Sequence, residues 1–175
     1  TNSDSATFAF ESNEADVTFE GKLDNGSWTP VTSPQNLENL SDGEHAYQVR
    51  STDLAGNSGY IVSVTWTVDT VAPGVPSLSS PSSGTNSSDT TPTFSWGVVS
   101  GASLYELQVD SNSSFNSGYG WSVNTSSSSY TTTSMANGTY YWRVRAADAA
   151  GNTSGYSSTW NYIIDTAAPT SPSIA

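Results

Sequence analysis

The stretch Asn137-Gly138-Thr139-Tyr140-Tyr141-Trp142-Arg143-Val144-Arg145-Ala146-Ala147-Asp148-Ala149-Ala150-Gly151-Asn152 reads as one long strand, entered from a turn and left through a tight hairpin. Tyr140, Trp142, Val144 and Ala146 fall on one face, and Tyr141, Arg143 and Arg145 on the other. Alternation of period two marks a strand with one buried face. The same layout occurs earlier, in Asp42-Gly43-Glu44-His45-Ala46-Tyr47-Gln48-Val49-Arg50-Ser51-Thr52-Asp53-Leu54-Ala55-Gly56-Asn57. Asp53 to Asp148 and Asn57 to Asn152 each span 95 residues (148−53 and 152−57). The chain is a tandem repeat of one domain.

A repeat of that length suits a small β-sandwich, so 175 residues hold nearly two. No stretch sustains an apolar period of 3.6, and helices are not expected. Four basic residues against sixteen acidic ones give a net charge of −12. That balance excludes nucleic acid, which needs a basic footprint, and disfavours an anionic membrane surface. It favours solubility and repulsion along an extended array. Cysteine is absent, so redox compartment cannot be read from thiols, but the Ser/Thr richness and scarce Lys point outside the cell. Neither a signal peptide nor a membrane span is seen, and Thr1 reads as mid-protein.

In chain order, copy one offers strands at Thr7–Phe10 and Val17–Leu23, the latter closed by the hairpin signal Asp24-Asn25-Gly26. Ser27 to Val31 pairs back, with Pro30 marking an edge. After the long strand, Tyr60 to Val68 returns, and Asp69-Thr70-Val71-Ala72-Pro73 ends the copy. Copy two adds a first strand, Val75 to Leu78, then strands at Thr93–Trp96, Leu104–Val109, Gly118–Val123, Tyr130–Thr132 and Trp160–Ile164. Asp165-Thr166-Ala167-Ala168-Pro169 repeats the terminator. The Ser/Thr runs Ser79–Thr91 and Thr125–Ser129 read as loops. Thr1-Asn2-Ser3 resembles Thr85-Asn86-Ser87, so copy one starts after its first strand, whereas Thr170 to Ala175 resembles Gly74 to Ser79. The chain is therefore either a window on a longer array or a subunit whose tail strand completes its neighbour.

The long strand, the Asp-x-Ala-Gly-Asn hairpin and the Asp-Thr-x-Ala-Pro terminator together resemble a known family. Residues 6–73 resemble bacterial Ig-like domains of large surface proteins, especially in Val17 to Asp24 and Leu40 to His45. Residues 75–169 look like a fibronectin type III-like variant, through Pro92 to Trp96, Tyr105 to Val109 and Tyr140 to Ala146. The resemblance implies an extracellular spacer or adhesive stalk and no catalytic residues. Many such domains have a cysteine pair; Gly21 and Val31 stand near the places it would take.

Candidate chemistry is sparse. His45, the only histidine, aligns with Tyr140 at a strand entry where sandwiches often place a tyrosine corner. Nothing has the spacing of a nucleophile–base pair or a zinc site, and short sandwich strands offer no cleft for a carboxylate-pair hydrolase. Asp53 with Asn57, and Asp148 with Asn152, read as turn-forming pairs rather than calcium ligands. Asp69 and Asp165, next to the junctions, are the candidate calcium ligands, and no other cofactor is expected. Trp66, Trp96, Trp142 and Trp160 read as core. Trp28 and Trp121, the latter beside Tyr119, are the candidate sugar contacts. Asn25, Asn39, Asn86, Asn112, Asn124, Asn137 and Asn152 head glycosylation sequons, all expected in turns or loops. Ser171, Pro172, Ser173, Ile174 and Ala175 form the candidate donor strand.

The expected protein is all-β: two tandem Ig/fibronectin III-like sandwiches, residues 1–73 without a first strand and 74–169 complete, with 170–175 beginning a further repeat. The expected role is a non-catalytic extracellular or cell-surface repeat, either adhesin stalk and spacer or filament building block. Its partners would be neighbouring repeats or copies of itself, with glycans or a cell surface as further candidates. The alternatives are a carbohydrate-binding module of a secreted enzyme and a subunit polymerised by exchange of its C-terminal strand.

Overall fold

The computed structural model describes residues 1–118 and 120–172. The chain divides into two units, Thr1–Val71 and Ala72–Ala175, and each contains only strands and turns among its described residues.

Unit 1 has six strands: β1 (Ala6–Phe8), β2 (Thr18–Leu23), β3 (Thr29–Val31), β4 (Gln35–Leu37), β5 (Gly43–Thr52) and β6 (Val62–Val68). They form a four-stranded sheet, β3-β2-β5-β6, and a two-stranded sheet, β1-β4. Pro30, which has no N–H to give a ladder, lies on the edge strand β3 opposite Glu20. The two sheets meet through aromatic rings: Phe8 stacks on Tyr47 at 5.1 Å, and Phe10 meets Phe19 edge-on at 5.0 Å.

Among its described residues unit 2 has eight strands: β7 (Leu78–Ser80), β8 (Thr85–Ser87), β9 (Thr93–Trp96), β10 (Leu104–Asp110), β11 (Trp121–Thr125), β12 (Ser129–Thr131), β13 (Gly138–Ala147) and β14 (Trp160–Ile164). The sheets are β11-β10-β13-β14-β8 and β12-β9-β7. Buried residues fill the space between them, from Phe94 and Trp96 on β9 to Leu107, Trp142, Val144 and Ile164 on the larger sheet. Trp142, Val144 and Ala146 point inward from β13 as the alternation requires, and Tyr140 is half-buried at its entry. The segment read as loop from Ser79 to Thr91 contains β8, which pairs in parallel with β14. Its Thr-Asn-Ser sequence has no apolar period; β8 is a strand because β14 presents a free edge to it, not because its own residues favour one.

The registers align the two units residue by residue. Phe19 and Tyr105 oppose Ser51 and Ala146; Gly21 and Leu107 oppose Val49 and Val144; Leu23 and Val109 oppose Tyr47 and Trp142. Phe8 and Phe10 take the places of Phe94 and Trp96, since β1 pairs with β4 as β9 pairs with β12. Unit 1 has neither a β7 nor a full β8. Thr1 accepts a bond from the Asp69 N–H as Ser87 does from Asp165, so Thr1 corresponds to Ser87 and not to Thr85. Repetitive Ser/Thr/Asn sequence misplaced that match by two residues; backbone bonds decide it. Only Leu40, Tyr47 and Val68 are buried apolar residues in unit 1.

Candidate functional site

The hairpins that follow β5 and β13 are built by their own side chains. Asp53 Oδ1 accepts from the Asn57 N–H at 2.8 Å, and Asp53 Oδ2 from the Asn57 side-chain amide at 2.8 Å. Asp148 does the same for Asn152, and its Oδ1 also accepts from the Gly151 N–H at 2.8 Å. Gly56 and Gly151 have φ of +88° and +100°, the left-handed region glycine enters freely. The Asn57 and Asn152 amides are the first cause that holds the Asp53 and Asp148 carboxyls below the usual range; the Asn57 N–H comes next at Asp53, whereas at Asp148 the opposing effect of burial precedes the backbone N–H groups. These carboxylates are occupied in shaping turns.

The corner at the strand entry is shared too. Tyr140 donates its hydroxyl to the Ala136 carbonyl at 3.1 Å. His45 Nε2 lies 2.8 Å from the Ser41 carbonyl, also four residues upstream. The imidazole adds a second tie, Nδ1 to Asp24 Oδ2 at 2.8 Å. Asp24 closes the turn after β2 and also accepts from the Ala46 N–H at 2.7 Å. Both ring nitrogens face acceptors, an arrangement only the doubly protonated ring satisfies. The His45 pKa is accordingly raised, by the Ser41 carbonyl first and Asp24 second; that of Asp24 is lowered, by the Ala46 N–H first and His45 second.

Trp28 and Trp121 are both half-buried. The Arg50 guanidinium lies 4.5 Å from the Trp28 ring centre and the Lys22 ammonium 5.3 Å, so cations already face the ring. Trp121 packs on Tyr130 at 5.9 Å and against the unit 2 core. Tyr119 lies outside the described residues. Asp69 Oδ1 caps the Val71 N–H and Asp165 Oδ1 the Ala167 N–H, each within its terminator. Among the described residues no three acidic or histidine side chains converge on one point. No helix among them is long and apolar enough to cross a membrane.

Five of the seven sequon asparagines lie in turns or loops. Asn86 is on β8 and Asn124 on β11, so their expected loop position is corrected: both are exposed, outward-alternating strand positions. Asn137 Oδ1 accepts from the Thr166 hydroxyl at 2.9 Å, and Asn152 is held by Asp148. Ser171 and Pro172 are exposed and outside any strand; Ser173, Ile174 and Ala175 lie outside the described residues.

Two features escape sequence reading. Asp110, buried at the end of β10, accepts from the Asn112 N–H at 2.9 Å and the Ser117 N–H at 3.3 Å. It organises the loop before β11, and the Ser117 side chain leads the interactions that lower its pKa. The second is a groove of about 390 Å³ on unit 1, with Phe8, Phe10, Phe19, Tyr47, Val62 and Val64 in its lining. A sequence signal exists for it: Tyr60-Ile61-Val62-Ser63-Val64 aligns with Tyr156-Ser157-Ser158-Thr159-Trp160, and Ile61 and Val62 of the first stand where the second has Ser157 and Ser158.

Paired sheets closed over a common core, a ring-to-carbonyl corner and an Asp/Asn hairpin define an all-β sandwich of the Ig and fibronectin III kind. A profile of the bacterial Ig-like domain family matches residues 75–166. That is 92 of the 175 residues (166−75+1), and the chain belongs to this family. The matched copy is the one whose sequence resembles fibronectin type III, so both descriptions meet on one sandwich. Among solved structures, the FN1–FN3 domains of chicken CNTN1 align over 92% of this chain at 15% identity and a TM-score of 0.55. This chain covers 62% of that segment, less than two thirds of its length. The fibronectin(III)-like modules of Clostridium thermocellum CbhA align over 91% of this chain and 84% of theirs, at 14% identity and a TM-score of 0.56. At such identities the likeness is one of fold. No curated protein matches the chain in sequence. Domains of this kind are generally non-catalytic and typical of extracellular or surface proteins.

Proposed function

We propose that the chain is a non-catalytic structural repeat of an extracellular or cell-surface protein, serving as stalk, spacer or filament building block. The observation that carries this reading is the use to which the polar groups are put. Asp24, Asp53, Asp110 and Asp148 each accept hydrogen bonds that fix a turn or loop, and His45 holds a corner. The framework is specified and repeated, and chemistry-bearing groups are spent on it. The fibronectin(III)-like modules of CbhA supply the setting for the rival reading, an accessory module in which Trp28 or Trp121 stacks on sugar.

The test is to display one, two and three copies of the chain between a cell-surface anchor and an epitope. A constant gain in epitope height per copy, with no tryptophan quenching across a polysaccharide panel, supports the spacer. Saturable quenching of Trp28 or Trp121 by one polysaccharide would replace it with the carbohydrate-binding module.

A further inference from the structure

Asparagine is followed by glycine twice in the chain, at Asn25-Gly26 and at Asn137-Gly138. Glycine has no Cβ to crowd the approach, so its backbone nitrogen can close on the side-chain carbonyl carbon of the asparagine before it. Whether it does so depends on how the fold holds the amide. In unit 2 the amide is tied down. Asn137 Oδ1 accepts from the Thr166 hydroxyl at 2.9 Å and from the Thr166 N–H at 3.3 Å, and Gly138 is paired with Ile164 of β14. Its counterpart in unit 1 is Asp42, whose Oδ1 accepts from the Thr70 N–H at 2.9 Å and the Thr70 hydroxyl at 2.8 Å. Asn25 has no such partner. It is exposed in the turn after β2, and its side chain makes no hydrogen bond among the described residues. Gly26 is restrained by a turn bond, from its N–H to the Leu23 carbonyl at 2.9 Å.

Attack needs the reacting atoms about 3–3.5 Å apart and aligned. To reach that geometry Asn137 must break both bonds to Thr166, whereas the Asn25 amide has no bond of its own to break. We propose that Asn25 is a self-modification site, deamidating in the folded protein while Asn137 is protected, and that its conversion loosens the corner of unit 1. The Gly26 nitrogen loses its proton to solvent and bonds to Asn25 Cγ. The Cγ–Nδ2 bond breaks, and ammonia leaves with a proton returned by solvent. Water then opens the succinimide at either carbonyl, giving aspartate or isoaspartate. Both products place a new carboxylate beside Asp24, which already accepts from the His45 ring and the Ala46 N–H. The net charge goes from −12 to −13 (−12 − 1). Isoaspartate also adds a carbon to the main chain between the Asp24 N–H, which bonds the Ala46 carbonyl, and the Gly26 N–H, which bonds Leu23. The inference is independent of the spacer reading: it gives unit 1 a chemical clock that unit 2 lacks.

The test is to incubate the full, unglycosylated chain at mildly alkaline pH, both folded and in concentrated urea, and to follow each site by peptide mapping with mass spectrometry. In the folded chain Asn25 should convert on the order of tenfold faster than Asn137, since a held amide is kept from the attack geometry. In urea, where no fold restrains either amide, the two rates should converge. Thr166→Ala removes one of the two bonds on Asn137 and should raise its rate without changing that of Asn25. Material converted at Asn25 should show a lowered melting midpoint for unit 1 and an unchanged one for unit 2. Equal rates in the folded chain, or a faster Asn137, overturn the proposal. A rate difference that persists in urea overturns it too, because sequence and not the fold would then set the order. A unit 1 midpoint unmoved by complete conversion refutes the loosening of the corner.

Discussion

Gly21→Ala is the substitution whose sign the structure decides. Glycine inside a strand costs roughly 0.5–1 kcal/mol relative to alanine through its unfolded-state entropy. On that ground alone the change should stabilise unit 1. A Cβ at Gly21 would stand 2.9 Å from Tyr47 Cζ and 3.1 Å from Val31 Cγ1, with the Tyr47 hydroxyl closer still. Tyr47 is buried and stacked on Phe8, so its ring has little room to retreat. Overpacking of this kind costs about 1–3 kcal/mol, and against the entropic gain it leaves a net loss centred on about 1 kcal/mol. Unit 1 has 71 residues, and for a domain of that size each kcal/mol moves the midpoint by roughly 4–8 °C. The Tyr47 hydroxyl is buried without a hydrogen-bond partner, so Tyr47→Phe alone should stabilise by about 1 kcal/mol. The double variant should then lose less than the two single effects sum to. Fluorine NMR of 5-fluorotryptophan protein during heating reads this cleanly. Trp28 and Trp66 report unit 1; Trp96, Trp121, Trp142 and Trp160 report unit 2 as an internal reference. A Gly21→Ala protein whose unit 1 midpoint is unchanged or raised would refute the packing argument.

Two further outcomes follow from the corner and the hairpin. His45 has its pKa raised on folding, so its stabilisation is complete below about pH 6.5 and is lost as pH rises through the higher folded value. Asp24 has its pKa lowered, so its contribution is present above about pH 4 and is lost as pH falls through the folded value. Unit 1 should therefore melt highest near pH 5–6, and His45→Tyr, which installs the residue of the other corner, should flatten the alkaline limb of that profile; an unchanged limb argues against the imidazolium. Asp148→Ala should lower the unit 2 midpoint while leaving that of unit 1 in place, with faster amide exchange at Gly151 and Asn152, and protection that persisted would show that the hairpin does not depend on the carboxylate.

The parts of this fold that announce themselves in sequence are those settled by near neighbours. Alternation along β13, the Asp-x-Ala-Gly-Asn turns and the edge Pro30 each depend on residues close together in the chain. The corner was legible because a ring four residues after its acceptor is also a local relation. What sequence hid depends on distant partners. Trp28 meets Arg50 from β5, and no local pattern announces that contact. Asn86 lies on a strand only because β14 offers an edge. Asp110 reads as an ordinary turn carboxylate until the loop back to Ser117 is closed around it. The groove on unit 1 is lined from β1, β2, β5 and β6, strands far apart in the chain, and no local pattern brings them together.

The placement of the cations has one last consequence. The chain has four basic residues, and every one is held on a sheet face. Arg50 binds Glu20 and Lys22 lies over Trp28. Arg143 is packed against Phe115 and Tyr156, and Arg145 against Glu106 and Tyr156. The net charge of −12 is thus left to mobile counterions. In fresh water the ionic atmospheres of two approaching copies overlap at tens of ångströms and hold them apart. At about 0.15 M salt the screening length shrinks to about 8 Å, and short-range contacts begin to count. Salinity thereby sets the distance at which one copy first senses another.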